Sequence, residues 1–227
     1  MKYYNFKKKV EKRYSANTTI IFVTIFVSVV FFILQLIDVE TIKYFALYPK
    51  NILAGKYLWT LLTHIFVHGG IGHLLINMFA LFSLGGICEK IIGRKRYIWF
   101  YLITGIFAGL LSVLMAGFFG YGYLAKVFGS PEIYMVGASG AIFGIAGLFV
   151  ILLPKVRFTI IFLPFFSLPA YIMVPAVLIL TWLTTIATNL PIGNVAHFGG
   201  FLTGIIYGYY LRVKYKKKVI MLERYFR

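Results

Sequence analysis

Residues 18–37 read TTIIFVTIFVSVVFFILQLI, twenty consecutive positions without a charged side chain. The hydrocarbon core of a bilayer is about 30 Å thick and takes about 20 apolar residues in helix, so this run predicts a membrane span. It is too long for the apolar stretch of a cleaved signal peptide, and no small-x-small site follows it before Asp38, so it is expected to stay in the protein. The other 207 residues repeat the theme: across the chain 61% of residues are apolar and 13% charged, against about 25% charged in a soluble domain. A water-soluble globule and a disordered chain are both excluded by that composition. A single cysteine, Cys88, excludes an internal disulfide framework and a multi-cysteine metal site.

Windows of span length pick out six segments, 18–37, 71–89, 97–117, 137–153, 170–187 and 194–213. The expected fold is therefore an all-α polytopic bundle of six transmembrane helices over residues 18–213. A basic segment, 1–17, precedes it and a basic tail, 214–227, follows it. With both termini inside, nineteen of the 23 lysines and arginines fall on the inner side, and only Lys43, Lys50, Lys56 and Lys126 fall outside. That asymmetry sets the predicted orientation, with cytoplasmic termini. The net charge of +17 is accounted for by anionic lipid at the inner face, and no soluble domain is left to hold nucleic acid.

Two connections stand out. Residues 154–169 are apolar but interrupted by Pro164 and Pro169, which predicts an interfacial or hairpin-like segment on the inner side. In the outer stretch 38–70, Leu58, Leu61, Leu62 and Ile65 follow i, i+3, i+4, i+7 spacing, which predicts an amphipathic helix lying in the interface. Tyr57 and Trp59 suit the aromatic belt at that depth.

The predicted topology places all four histidines, His64, His68, His73 and His197, in the outer half. Ionisable residues are costly in a membrane, so each is a functional candidate; the plainer reading of any one is a hydrogen-bonded helix contact. His73 and Asn77 share one face of the second span. Gly137-Ala138-Ser139-Gly140 opens the fourth, where small residues alone suggest close packing and a serine alone suggests a helix cap. Ala196-His197 opens the sixth, followed by Gly200 and Gly204. The topology thus brings His73, Ser139 and His197 to the same side. The glycines on spans four and six let their backbones approach, bringing Ser139 and His197 within reach. A serine hydroxyl attacks only when a base takes its proton, and imidazole is the usual base. Donors on another helix can stabilise the resulting oxyanion. This is the composition of a serine-protease site.

The residues carrying this chemistry resemble those of the rhomboid family. The runs Thr63-His64-Ile65-Phe66-Val67-His68 and His73-Leu74-Leu75-Ile76-Asn77-Met78 resemble its second-span signature. Gly137-Ala138-Ser139-Gly140-Ala141-Ile142-Phe143-Gly144 resembles its nucleophile motif, and Ala196-His197-Phe198-Gly199-Gly200 with Gly204 its base motif. Gly85-x3-Glu89-x3-Gly93 matches the end of the second span. The resemblance runs from about residue 15 to 213. It implies an intramembrane serine endopeptidase that cuts transmembrane helices of other proteins near the outer face, with no cofactor and no metal. Ser139 would be the nucleophile and His197 the base. His73, Asn77 and the Ser139 amide would form the oxyanion hole. The loop holding His64 and His68 would be partly buried in the bilayer, and the fifth span with loop 188–193 would form a movable gate and cap. A prokaryotic cell membrane is the expected location.

Two departures are visible. Members often carry Trp-Arg in the first loop, whereas this chain has Trp59-Thr60, which removes any anchoring by that arginine. Phe143 stands where some members carry tyrosine, so stacking on His197 is retained and a hydroxyl contact is not. The six acids, Glu11, Asp38, Glu40, Glu89, Glu132 and Glu223, lie in tails, outer loops or the far end of the second span, so none is expected to orient His197. Among rivals, an aspartyl protease is excluded because Asp38 is the only aspartate. A zinc protease has His64-x3-His68 but lacks the glutamate of H-E-x-x-H. A transporter leaves the serine motif unexplained, and a rhomboid-like binder that does not cut should have lost the serine or the histidine.

Overall fold

The computed structural model describes residues 15–160, 163–188 and 190–226. The basic residues before Ser15, Glu11 among them, and residue 189 of the expected cap loop lie outside that set. Seven helices of ten residues or more organise the chain. They are α1 (Ala16–Ile37), α2 (Ile71–Ile92), α3 (Arg94–Phe119), α4 (Ser139–Leu152), α5 (Ala170–Thr188), α6 (Asn194–Lys214) and α7 (Lys216–Tyr225). The first six coincide with the six expected segments to within a few residues. By length and hydropathy α1, α2, α3 and α5 are long and apolar enough to cross a membrane, which makes the protein a multi-pass membrane protein. Helix α4 has 14 residues, about 21 Å at about 1.5 Å per residue, and falls short of a bilayer.

The helices are sorted inside out relative to a water-soluble bundle. On α1 the buried stripe includes Asn17, Thr24 and Ser28, while Phe22 and Phe26 are 67% and 69% exposed. Lipid solvates aromatic and aliphatic side chains, so polar groups turn inward, where they find partners. Asn17 shows this: its Nδ2 donates to the Leu81 carbonyl at 3.0 Å, and Tyr97 Oη donates to its Oδ1 at 2.6 Å. Gly85 makes room, since a Cβ there would overlap Asn17 Oδ1. At the start of α1 the Glu89 carboxylate accepts hydrogen bonds from Ser15 Oγ (2.6 Å) and from the amides of Ala16 and Asn17 (both 2.9 Å). A helix N-terminus has unpaired N–H groups and partial positive charge, and a glutamate brought from another helix answers both.

Helix α4 is the central element, with ten of its fourteen residues buried. Its closest partner is α6, followed by α3. The chain between α4 and α5 forms an antiparallel hairpin of β1 (Arg157–Ile160) and β2 (Leu163–Pro169), as expected from the interrupted apolar run.

The expectation for the first loop needs correction. Residues 58–65 do not form one amphipathic helix; they contain two short pieces, an α-turn Thr60–Thr63 and a 3-10 turn His64–Phe66. Nor do the four stripe residues share one face toward the membrane. Leu58 and Leu62 are 51% and 42% exposed, while Thr60 and His64 are buried. Leu61 is half-buried, and of the four only Ile65 is fully buried, reaching Gly105 of α3. The pattern follows the rule seen on α1, with leucines outward and polar groups inward.

Candidate active site

Three helix starts meet at one end of the bundle because α4 and α6 touch along glycine. A Cβ on Gly200 would overlap the Gly140 carbonyl oxygen, and a Cβ on Gly204 the Gly144 carbonyl oxygen. Gly140 faces Ala108 of α3 at 2.8 Å and the Ala196 carbonyl oxygen at 3.5 Å from its notional Cβ. The helix axes come close enough that short side chains at their N-termini meet: Ser139 Oγ and His197 Nε2 are 2.9 Å apart. Ser139 is the first helical residue of α4, Ala138 holds the cap position, and the cap makes no side-chain bond. The serine therefore meets the histidine and does not cap its own helix.

His197 is 9% exposed and Ser139 is half-buried, which leaves the hydroxyl reachable. The imidazole stacks on Phe143, one turn into α4, with centroids 4.5 Å apart and planes at 26°. The stacking expected from Phe143 is thus present, and it sets the plane of the ring. His197 Nδ1 has no hydrogen-bond partner among the described residues. Among the described residues no carboxylate orients it. One turn before His197, Asn194 donates from Nδ2 to Thr185 Oγ1 at 2.7 Å and ties α6 to α5.

The donors proposed from α2 lie on the other side of Ser139's approach strand. Gly137 has φ +122°, a conformation that L-residues rarely adopt. A Cβ there would also come to 2.8 Å and 2.9 Å from His73 Cε1 and Nε2, and to 3.6 Å from Asn77 Nδ2. His73 is exposed, whereas Asn77 is 5% exposed and its Nδ2 is buried with no partner among the described residues. An amide N–H left unpaired in a buried place costs free energy, and such groups are uncommon outside sites that await a ligand.

His64 and His68 support this strand from the first loop. The Gly137 amide donates to the His64 carbonyl at 2.8 Å, and the Ala138 amide approaches His68 Nε2 at 3.4 Å. Leu47 and Met135 exchange both backbone bonds, at 2.9 Å and 2.8 Å. The protonation of His68 follows from its neighbours. Ser28 Oγ donates to the Phe66 carbonyl at 3.0 Å, so it accepts from His68 Nδ1, also at 3.0 Å, and Nε2 is left free to accept from Ala138. His64 Nδ1 donates to the Thr60 carbonyl at 2.9 Å. Burial holds both loop imidazoles below the ordinary histidine range, His64 at about 4 and His68, with His73 also acting on it, at about 3. Nδ1 of His64 and both nitrogens of His68 are engaged, which opposes the zinc reading of this pair. Among the described residues no metal-binding group of three or more His, Cys, Asp or Glu is found.

Sequence reasoning missed Ser28, Glu89 as the α1 cap, and the Asn194–Thr185 bridge. Ser28 and Thr185 were visible only as polar interruptions in apolar runs. Their partners lie far away in sequence or across a helix gap, and nothing in the spacing names them.

The chain is similar to known proteins over most of its length. The family model described as the Rhomboid domain matches residues 55–214. RHOMBOID-like protein 4 of Arabidopsis thaliana is 33% identical over 171 residues, covering 73% of this chain and 37% of the relative. Rhomboid protease GluP of Bacillus subtilis is 33% identical over 121 residues, 52% of this chain and 21% of the relative. The mitochondrial presenilin-associated rhomboid-like protein of Mus musculus is 29% identical over 167 residues, 73% and 40% respectively. The chain thus spans about half or less of the length of these relatives. With the matched domain covering both the Ser139 and the His197 helices, the chain belongs to the rhomboid family.

Proposed function

We propose that this protein is an intramembrane serine endopeptidase with a Ser139–His197 dyad, in which α1 to α6 traverse the membrane, the short α4 together with the chain that leads into and out of it. The observation that carries the reading is the 2.9 Å approach of Ser139 Oγ to His197 Nε2 at the buried meeting point of α4 and α6. A hydroxyl bonded to a neutral imidazole, beside an unpartnered amide donor, is what acyl transfer requires.

In the proposed reaction Ser139 Oγ bonds to the scissile carbonyl carbon while its proton passes to His197 Nε2. That role needs the neutral ring to carry its hydrogen on Nδ1, and stacking on Phe143 holds the ring in plane with the serine. The carbonyl oxygen becomes an oxyanion that accepts from the Ser139 amide, Asn77 Nδ2 and His73. Collapse breaks the C–N bond, and the departing amine takes the proton from His197. Water then attacks the acyl-enzyme with His197 again as base, releasing the carboxylate and restoring Ser139.

A short, central α4 supports a site sunk below one face of the membrane. A peptide bond of a neighbouring transmembrane helix would have to unwind to reach it, so substrates should carry helix-weakening Gly or Pro near the cut, with small residues beside it. Movement of α5, bridged to α6 by Thr185 and Asn194, would open the lateral path. The basic residues support cytoplasmic termini and a site on the outer side.

A serine-directed fluorophosphonate tests the reading in detergent-solubilised protein. Labelling at Ser139 that disappears in His197→Ala is the expected result. Folded protein that takes no label, or takes it elsewhere, would overturn it.

A further inference from the structure

At the end of the bundle opposite Ser139, α3 and α6 diverge and leave a groove of about 320 Å³. Its walls are Trp99, Phe100, Ile103 and Tyr207, with Phe100 and Tyr207 stacked at 5.1 Å. Trp99 and Ile103 are 57% and 56% exposed, so the groove opens sideways, toward lipid. Its mouth is formed by Lys95 and Arg96. Beside the mouth, Arg96, Lys214 and Lys218 all lie within 6 Å of the Tyr215 ring centroid, at 5.6, 5.7 and 5.8 Å. Arg96 also donates to Tyr215 Oη at 3.3 Å.

Four cations are thus gathered at one edge, and among the described residues none of Lys95, Arg96, Lys214 or Lys218 pairs with a carboxylate. Glu89, the acid of this end of α2, is engaged at the start of α1. Like charges this close repel one another, and an anion among them would offset that repulsion. The anion has to reside where a membrane-facing apolar groove begins. We propose that the groove between α3 and α6 holds one anionic phospholipid, an acyl chain lying against Trp99, Ile103 and Tyr207 and the phosphate held by Lys95 and Arg96. Basic pockets between transmembrane helices take lipid headgroups on these terms. The site is remote from the dyad and independent of any peptidase activity.

Trp99 is itself the reporter. In a Trp59→Phe/Trp182→Phe background it is the sole tryptophan, and phospholipids brominated on the acyl chain quench it on contact. In proteoliposomes, brominated phosphatidylglycerol should quench Trp99 more strongly than brominated phosphatidylcholine at equal fraction. Lys95→Gln/Arg96→Gln should lower that preference about twenty-five-fold, from roughly fivefold per cation. Lys95→Arg/Arg96→Lys should keep it. Thr203→Phe, which fills the groove and leaves the cations in place, should abolish that preference. Native mass spectrometry of the otherwise unaltered chain supplies a second reading: one phosphatidylglycerol retained, and lost in Lys95→Gln/Arg96→Gln. Equal quenching by the two lipids, a preference that survives loss of both charges, or one that survives Thr203→Phe would overturn the site. So would displacement of the lipid by soluble glycerol phosphate, which would mean that the headgroup alone is held.

Discussion

Ser139 and His197 touch across two helices, and their proposed roles differ in kind from those of His73 and Asn77. Ser139→Ala removes the atom that forms the acyl bond, and His197→Ala removes its base. Each should abolish cleavage of a transmembrane substrate, and the double variant should be no worse than either, because such residues act as a unit. Asn77→Ala and His73→Ala remove one donor each while the Ser139 amide remains, so each should lower kcat about 10²–10³-fold. Rates on reconstituted substrate check this ranking; equal losses in Ser139→Ala and Asn77→Ala, in folded protein, would remove Ser139 from the nucleophile's role. Gly137 is constrained both by its φ of +122° and by His73 against it. Gly137→Ala should therefore lower the melting temperature and displace His73, and its kcat should fall toward that of His73→Ala.

At the scale of elements, two features set how α1 and the first loop are held. Glu89 is a charged acceptor for three donors at the start of α1. Hydrogen bonds to charged groups contribute about 1.5–3 kcal/mol, so Glu89→Ala should destabilise the protein by about 2 kcal/mol, with Glu89→Gln intermediate. Thermal unfolding in detergent measures both. The loop imidazoles add a dependence on pH. His64 and His68 are held neutral, with folded values of about 4 and about 3, while in an unfolded chain they titrate near ~6.5. The unfolded state then binds more protons between these values. The stability they contribute is complete above about 6.5 and is lost as the pH falls toward about 4. The melting temperature should be flat from about pH 8 to 7 and decline below about 6. A curve flat to pH 5 would show that neither ring is buried as described.

At the scale of the molecule, the distribution of charge is the strongest guide to orientation. The expected six-helix topology assigns nineteen of 23 basic residues to one side, so both termini should face the cytoplasm. In a Cys88→Ala background, a cysteine at Lys126 should react with an impermeant thiol reagent added to intact cells, and one at Lys216 should not. The reverse pattern would invert the topology. A recessed site also makes substrate unwinding part of the rate. Replacing Gly and Pro near the cut of a cleaved substrate with Leu should slow cleavage markedly, as those residues weaken a helix by about 1 and 3 kcal/mol relative to alanine.

The residues of this chain determine its class and its helices almost unaided. Apolar runs of span length admit one solution in lipid, because every backbone group must be bonded within its own segment, and the six long helices appear where those runs lie. The chemistry-bearing residues were legible too, since Ser139, His197, His73 and Asn77 begin or line helices that share an end once the basic residues orient them. The first loop was not legible. The stripe Leu58, Leu61, Leu62 and Ile65 predicts one amphipathic helix in the interface, but two short turns form instead, and Ile65 turns into the bundle with Thr60 and His64 while Leu58 and Leu62 stay outward. Tertiary structure alone decided other contacts between distant segments: Glu89 on α1, Ser28 behind His68, and Arg96 beside Lys214 and Lys218. Local spacing sets which residues share a helix face; how far two helices approach, and at what angle, depends on the side chains of both. The glycines of α4 and α6 are the exception that made the approach of Ser139 to His197 foreseeable, because missing side chains on both helices permit close contact.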